Sequence, residues 1–330
     1  MLAWTEILSP HWAIFIVAVL VFLALDLGVF HREARVVRMR EAGMWTALCF
    51  AAAMFFAYFL APKFVNGWAR QHTEEFVTGY ILELSLSMDN VFVIALIFAY
   101  FRVPSALQHR VLFWGVLGAL VMRGVMIFVG VELVDRFAWL LYVLGVFLIL
   151  TAAKMIFGGD DEVHPERNLA VRLARKFFPV STEYDGQSFL TMQNGRRALT
   201  PLALVLLMVE TTDLIFAVDS IPAILGVTTN FYVVFTSNVF AILGLRSLYF
   251  VLAGMIDYFR FLKLGLAIVL AFIGVKMLIA ETRFHVSTRA SLWIVAGIIL
   301  AAILASVLSA RFGRHPHPPS DDSTSDGKDQ

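Results

Sequence analysis

Acidic residues recur with one spacing in two apolar stretches of the chain. Glu83 is followed six residues later by Asp89 in ELSLSMDNVFVIA, and Asp213 is followed six residues later by Asp219 in DLIFAVDSIPAI. A carboxylate inside an apolar segment is costly unless it pairs with a cation or binds one. Oxygen ligands suit Mg(II), Ca(II) and Mn(II), and they argue against Zn(II) and Cu(I). The pattern therefore predicts a site for a hard divalent cation.

Neighbouring polar residues enlarge the candidate site. Asn90 directly follows Asp89, and Glu210 lies three residues before Asp213, about one turn along a helix. Asn238 lies in the next apolar stretch. Amide oxygens coordinate hard cations alongside carboxylates. We therefore predict seven metal ligands: Glu83, Asp89, Asn90, Glu210, Asp213, Asp219 and Asn238.

Helical geometry limits how these ligands can act together. At about 100° per residue, Glu83 and Asn90 share one helix face with Ser87, whereas Asp89 lies about 120° from Glu83. The second pair of acids is offset by the same angle. Either a helix is broken at the site, as Pro222 would favour, or the two acids of each pair have different roles. The sequence leaves both interpretations open.

Further charged residues in apolar stretches are candidates for charge pairing or coupling. Arg123 and Arg246 lie near the middle of their stretches, and the simplest interpretation is that each neutralises one buried carboxylate. Lys154 and Lys276 lie near the ends, where a lysine can extend its amine toward the membrane surface. Asp26 stands alone, as a ligand, a proton carrier or a structural acid. Six acids against four bases leave two negative charges, the number that one divalent cation neutralises.

The composition places these residues in a membrane. The chain has 330 residues, of which 60% are hydrophobic and 15% charged, and its mean hydropathy is +0.80. A soluble domain is about 45–50% apolar. A net charge of +1 provides no basic surface for nucleic acid, and one cysteine excludes a disulfide framework. We expect no enzyme, because HExxH is absent and the acids within the spans lack the flanking Gly-x-Gly-Asp pattern of intramembrane aspartyl proteases. We also expect no prosthetic group.

The apolar segments predict an all-α polytopic integral membrane protein with nine transmembrane helices. A spanning helix needs about 20 mostly apolar residues. No lysine or arginine precedes Arg32, so we interpret the first segment as a retained helix and not as a signal peptide. The predicted spans are 12–30, 44–61, 76–100, 111–132, 139–157, 200–221, 231–256, 264–281 and 291–310.

The chain contains an internal repeat. Besides the acid pairs, MRGVMIFVG around Arg123 matches LRSLYFVLAG around Arg246, and LTAAKMIF around Lys154 matches FIGVKMLI around Lys276. Each copy holds three spans, an odd number, so the second copy is inverted in the membrane, as in many secondary transporters. We therefore divide the chain into two N-terminal helices (1–75), the first repeat (76–157), a loop (158–199), the second repeat (200–281), a last helix (282–310) and a disordered tail (311–330).

The loop charges predict the orientation. Of the 26 lysines and arginines, four lie within spans and five in segments that would be outside: Lys63, Arg70, Arg136, Arg283 and Arg289. The remaining 17 are inside if the N-terminus is outside, as the positive-inside rule favours. The C-terminus and the loop 158–199 are then cytoplasmic. Within this loop, residues 168–178 predict an amphipathic helix, and Asn194-Gly195 predicts a hairpin turn.

Three strings resemble the signature of the TerC family of integral membrane proteins, and of its Alx-like branch: ELSLSMDNVFV, VETTDLIFAVDSIPAILGVTT and FTSNVFAILGLRSLYFVLAG. The resemblance extends over nearly the whole chain. It implies a protein of the bacterial inner membrane that exports Mn(II), with the acids of both repeats as the metal site. Mn(II) would be the transported substrate, in contact with the lipid bilayer around the protein. Protons are a further expected partner, because a buried carboxylate can exchange a proton for a cation.

Two functions of different kinds stay open. In a carrier, the buried acids bind the metal, with Ca(II) as the nearest competing substrate and with exchange against protons as the coupling. In a scaffold or insertion factor, the buried charges form ion pairs that hold the helices together. A scaffold predicts that an acid and its basic partner can be neutralised together without loss, and a carrier predicts the opposite.

Overall fold

A computed structural model describes residues 10–25, 39–158, 168–181, 183–193, 195–252, 261–280 and 286–312. These residues are mostly helical, with a short hairpin of strands β1 (Leu190–Gln193) and β2 (Arg196–Leu199). The helices are α1 (Pro10–Leu25), α2 (Met39–Phe55), α3 (Ala61–Phe64), α4 (Arg70–Tyr100), α5 (Ser105–Arg136), α6 (Leu140–Phe157), α7 (Leu169–Phe177), α8 (Pro201–Leu225), α9 (Phe231–Leu252), α10 (Leu262–Leu278) and α11 (Thr288–Phe312). A π-helical turn, Phe56–Leu60, joins α2 to α3.

Among the described residues, six helices are long and apolar enough to cross a membrane. They are Arg40–Phe64, Arg70–Tyr100, Ser105–Arg136, Leu140–Phe157, Pro201–Leu225 and Thr288–Ser309. Two shorter apolar helices are Trp12–Leu23 and Phe231–Leu245. A helix overlaps each of the nine predicted spans. The polytopic all-α class is thus confirmed, and the number of nine crossings stays a prediction.

The packing of helices α4–α6 against α8–α10 follows a regular pattern. Helix α4 packs against α9, and α5 packs against α8. Helices at the same position in the two predicted repeats also touch: α4 with α8, α5 with α9, and α6 with α10. Exchanging the first three helices for the second three leaves this set of contacts unchanged. A two-fold relation would produce such a pattern, while the inversion of the second repeat in the membrane stays a prediction.

Helices α6 and α10 approach each other closely at two glycines. A Cβ placed on Gly274 would lie 2.6 Å from the carbonyl oxygen of Gly145, and one placed on Gly145 would lie 3.0 Å from the oxygen of Gly274. Small residues allow helix backbones in membranes to come this near. The two backbones are therefore in direct contact, with no side chain between them.

The break that Pro222 favours is not observed. Helix α8 continues through Pro222 to Leu225, and α4 runs from Arg70 to Tyr100. A proline removes one backbone hydrogen bond from a helix. Here it removes the bond to the carbonyl oxygen of Val218, and the helix continues past it to Leu225. Unbroken helices at both acid pairs favour the second interpretation, in which the acids of each pair have different roles.

The loop between α6 and α8 contains the two predicted elements. The side chain of Asn168 accepts hydrogen bonds from the backbone of Ala170 and Val171 and thereby caps α7. The same residue donates to Thr211 Oγ1 of α8 at 2.9 Å. The strands β1 and β2 pair antiparallel, and Gly195 has a φ of 73° in the turn. Asn194 lies outside the described residues, as does the predicted tail beyond Phe312.

This loop is also attached to the turn between α4 and α5. The hydroxyl of Tyr184 donates to the carbonyl oxygen of Phe101 at 2.8 Å, and burial raises the pKa of Tyr184. Arg110 Nη1 donates to Gln187 Oε1 at 3.0 Å. The described part of the loop therefore packs against the end of the bundle that we predict to be cytoplasmic.

Candidate metal centre

A buried arginine joins helices of the two predicted repeats. Arg123 of α5 is 1% exposed, and its guanidinium contacts one acid of each repeat. Its Nε and Nη2 donate to the two carboxylate oxygens of Asp213, at 3.1 and 2.8 Å. Its Nη1 donates to Glu83 Oε1. Paired, charge-assisted bonds of this kind fix both the position and the orientation of the carboxylate.

Two amides complete the arrangement. Asn238 Nδ2 of α9 donates to Glu83 Oε2 at 3.1 Å, and its Oδ1 accepts from Arg123 Nη1 at 3.3 Å. Asn90 Nδ2 lies 3.4 Å from Asp213 Oδ1; with its amide turned over, its oxygen accepts from Arg123 Nη2 at 3.3 Å. All five side chains are buried. We call them the ionic cluster: Glu83, Asn90, Arg123, Asp213 and Asn238.

Glu210 lies beside the ionic cluster. It precedes Asp213 by about one turn of α8, and its carboxylate packs against Gly118 of α5. A Cβ at Gly118 would collide with this carboxylate. The absence of a side chain at Gly118 therefore makes room for a third acid next to the two that Arg123 binds. With all three ionised, they exceed the guanidinium by two negative charges.

Asp89 and Asp219 point elsewhere, as the helical angle predicts. Asp219 accepts from Thr151 Oγ1 of α6 at 3.4 Å, and the charge of Lys154 acts on it. Asp89 is half-buried, and the charge of Lys263 acts on it. The structure therefore brings four of the seven predicted ligands together, places Glu210 next to them, and separates these two. Within the described part of the chain, no three His, Cys, Asp or Glu residues are grouped to hold a metal ion.

The structure places the residues that we predict for charge pairing or coupling in different surroundings. Arg123 binds two carboxylates and not the single one expected, because α4 and α8 both present an acid to α5. Lys154 is exposed near the end of α6, whereas Lys276 is half-buried on α10 and the charge of Glu75 acts on it. The side chain of Arg246 and the whole of Asp26 lie outside the described residues.

One polar group near the ionic cluster has no partner. Ser87 Oγ, one turn from Glu83 on the same helix face, is fully buried and has no hydrogen-bond partner among the described residues. A serine inside a helix commonly bonds to the carbonyl four residues earlier, and this one does not. The oxygen of Ser87 is therefore available as an additional ligand for a cation at the site.

Comparison with known proteins identifies the family. Residues 68–315 match the integral membrane protein TerC family. The chain belongs to this family. The match begins two residues before α4 and covers the whole ionic cluster, so the resemblance inferred from the three sequence strings is confirmed.

The similarity to curated bacterial proteins extends over nearly the full length of both chains in each comparison. The uncharacterized membrane protein STKORF319 of Myxococcus xanthus is 47% identical over 311 residues, which are 94% of each chain. A Shigella flexneri protein named "Putative membrane-bound redox modulator Alx" is 44% identical over 300 residues, 89% of this chain and 93% of that one. An uncharacterized membrane protein of Rickettsia felis is 35% identical over 297 residues, 90% and 97% of the two chains. No solved structure matches. The chain is thus a multi-pass membrane protein with bacterial relatives.

Proposed function

We propose that this TerC protein exports a divalent cation across the bacterial inner membrane, and that Mn(II) is its preferred substrate. The observation that supports this most strongly is the ionic cluster, in which Glu83 and Asp213 are buried midway along helices of both repeats. Ionisable groups at such a depth are costly and mark ion pathways by default. The carboxylates, amides and the Ser87 hydroxyl form an oxygen set suited to Mn(II), and the TerC resemblance favours this ion within that class.

The charge around the ionic cluster fits the proposal. The carboxylates of Glu83, Glu210 and Asp213 exceed the charge of Arg123 by two, which equals the charge of one divalent ion. The guanidinium of Arg123 bridges the acids of the two repeats. A bound divalent ion would compete with it for the carboxylate oxygens, and Ser87 Oγ would be a further oxygen ligand.

Exchange against protons is the coupling that we propose. A proton that reaches Glu83 or Asp213 from outside removes a negative charge, weakens the hold on the cation and releases it outward. Loss of that proton to the cytoplasm restores the site for the next ion. Asp89 and Asp219 stay predicted ligands, and because they lie on other helix faces we assign them to other stages of the crossing.

Ion flux measured on the purified protein tests the proposal. In proteoliposomes loaded with one metal at a time, we expect transport of Mn(II) that exceeds transport of Zn(II) at least tenfold. The reason is the all-oxygen ligand set, which Mn(II) accepts and which lacks the nitrogen and sulfur ligands that Zn(II) prefers. Ca(II) and Mg(II) are run in parallel, because they share the preference for oxygen. Transport of Zn(II) without Mn(II) would refute the ligand assignment.

A structural role for the ionic cluster is the second candidate. The two-bond contact between Arg123 and Asp213 is also the geometry of an ion pair that locks helices together. The name of the Alx relative points to redox modulation, but the single cysteine of this chain provides no pair of thiols for exchange within it. We therefore keep the scaffold, and not a thiol redox enzyme, as the alternative.

The orientation on which export depends has its own test. A reporter fused after Asp185 should be cytoplasmic, and one inserted after Thr229, between α8 and α9, should be periplasmic. The excess of positive charge in the predicted inner segments is the reason. Each position is checked with two reporters that are active on opposite sides of the membrane, such as alkaline phosphatase and green fluorescent protein. Both positions on the same side would contradict the inverted repeat.

A further inference from the structure

A cavity of about 580 Å³ opens at one end of the bundle. The first turns of α4, the last turns of α5 and the connection between α8 and α9 surround it, and Thr229 and Asn230 at its rim are exposed. Its polar lining includes Glu75, which is only 5% exposed and whose Oε1 accepts from Gln71 Nε2 at 2.8 Å. Asp135 of α5 adds a second carboxylate. A buried acid thus faces a space that is open to solvent.

The cavity lies beyond the ionic cluster along the same four helices. Residues four apart are neighbours on one face, about 6 Å apart along the axis. Such four-residue steps connect each cluster helix to the cavity lining: Glu83–Gly79–Glu75 on α4, Arg123–Ile127–Val131 on α5, Asp213–Ala217–Ile221–Leu225 on α8, and Asn238–Val234–Asn230 on α9. The four helices that assemble the cluster therefore also enclose the cavity.

A group of buried residues, which we call the apolar layer, separates the cavity from the ionic cluster. It consists of Gly79, Ile127, Ala217, Ile221 and Val234. Ile127, Ala217 and Val234 belong to one hydrophobic cluster. A Cβ on Gly79 would lie 2.8 Å from Ile224 Cδ1 and 2.9 Å from Ser237 Oγ, so that no larger side chain fits there. The barrier is therefore tightly packed at Gly79.

The other end of the ionic cluster is also closed. There the same four helices pack in a hydrophobic cluster that extends from Val91 to Phe98 on α4 and from Leu202 to Val209 on α8. It also includes Leu245 and Tyr249 of α9 and Val171 of α7. Buried apolar side chains therefore close the ionic cluster at this end as well as on the side of the cavity.

We propose that the cavity is the outer vestibule of the ion path, and that the apolar layer is the gate between vestibule and ionic cluster. This inference rests on the proposed export function. Its occupant is a hydrated divalent cation: six waters take up about 180 Å³ at about 30 Å³ each, well within the cavity. Glu75 and Asp135 attract the cation, and the charge of Lys276, which acts on Glu75, offsets part of this attraction. In this structure the gate closes the ionic cluster toward the vestibule, and the opposite hydrophobic cluster closes it toward the cytoplasm.

Cysteine labelling in intact cells tests the vestibule. The parent is Cys49→Ala, which removes the single cysteine of the chain. Val131→Cys places a thiol in the cavity wall, and Leu112→Cys places one on the same helix in the hydrophobic cluster at the opposite end. The reagent is a cationic methanethiosulfonate that does not cross membranes. Thr229→Cys, at the exposed rim, provides a second cavity position if the Val131 variant does not fold.

We expect the thiol at position 131 to react, to be protected by millimolar Mn(II), and to reduce Mn(II) efflux at least tenfold once modified. The thiol at 112 should neither react nor affect efflux. If the thiol at 131 stays unreacted while that at 229 reacts, or if modification at 131 leaves efflux unchanged, the vestibule is refuted. Absence of Mn(II) efflux from the wild-type protein before any reagent is added would instead reject the proposed function.

Discussion

Replacing Asp213 by asparagine should abolish Mn(II) efflux and leave the amount of protein in the membrane unchanged. Asparagine has nearly the same size and still accepts a hydrogen bond from Arg123, whose charge Glu83 continues to balance. Removing a charge also makes insertion of α8 easier. The lost group, however, is the carboxylate that we assign to the metal. Efflux per molecule should fall by at least about tenfold, or about 1.4 kcal/mol.

The measurement compares efflux of Mn(II) from preloaded cells with the amount of protein detected in their membranes. Asp185→Asn is the matched control, because Asp185 is an exposed loop acid whose carboxylate binds Thr191. The control should retain full efflux. An Asp213→Asn variant that transports normally would remove Asp213 from the ligand set.

Replacing Arg123 by glutamine should instead reduce the amount of protein in the membrane. Two buried carboxylates, Glu83 and Asp213, then lose their common cation. Breaking a buried pair by removing one partner costs about 3–5 kcal/mol, a large share of the stability of a typical domain. The amount of protein in the membrane and its thermal unfolding in detergent report this loss. Arg136→Gln is the control, since Arg136 is 69% exposed and its pair with Glu132 contributes less than about 1 kcal/mol.

The triple variant separates a carrier from a scaffold. When Glu83 and Asp213 also become glutamine and asparagine, no charge remains unpaired in the ionic cluster. For both functions we expect the protein to return to the membrane. A carrier has then lost its ligands, so Mn(II) efflux stays absent; recovery of full efflux along with the protein would show that these charges serve only to hold the helices together.

The angular positions of the acids could be predicted from the sequence because they depend only on local geometry. A regular helix sets Glu83 and Asp89 about 120° apart, and α4 is regular there. The partner of Arg123 could not be predicted in this way. Its two acids lie 40 and 90 residues away along the chain, and their meeting depends on how α4, α5 and α8 pack.

The predicted spans and the observed helices differ at their ends. The third predicted span begins at residue 76, whereas α4 begins at Arg70. Glu75 therefore lies outside the predicted span but within α4, where it is buried. Its polar neighbours in the sequence, Arg70 to Glu74, lower the local hydropathy and hide the start of the helix. The role of Gly118 was also not apparent, because only packing shows which side chain occupies the space beside a glycine.

The contact between Gly145 and Gly274 determines where the bundle can divide. Two backbones that touch directly have no side chains whose rotamers could absorb a change in crossing angle. Helices α6 and α10 should therefore move as a single rigid body. Any rearrangement that exposes the ionic cluster to the cytoplasm must then take place at the boundary between this pair and the surrounding helices. Asp219, whose carboxylate bonds to Thr151 of α6, lies on that boundary.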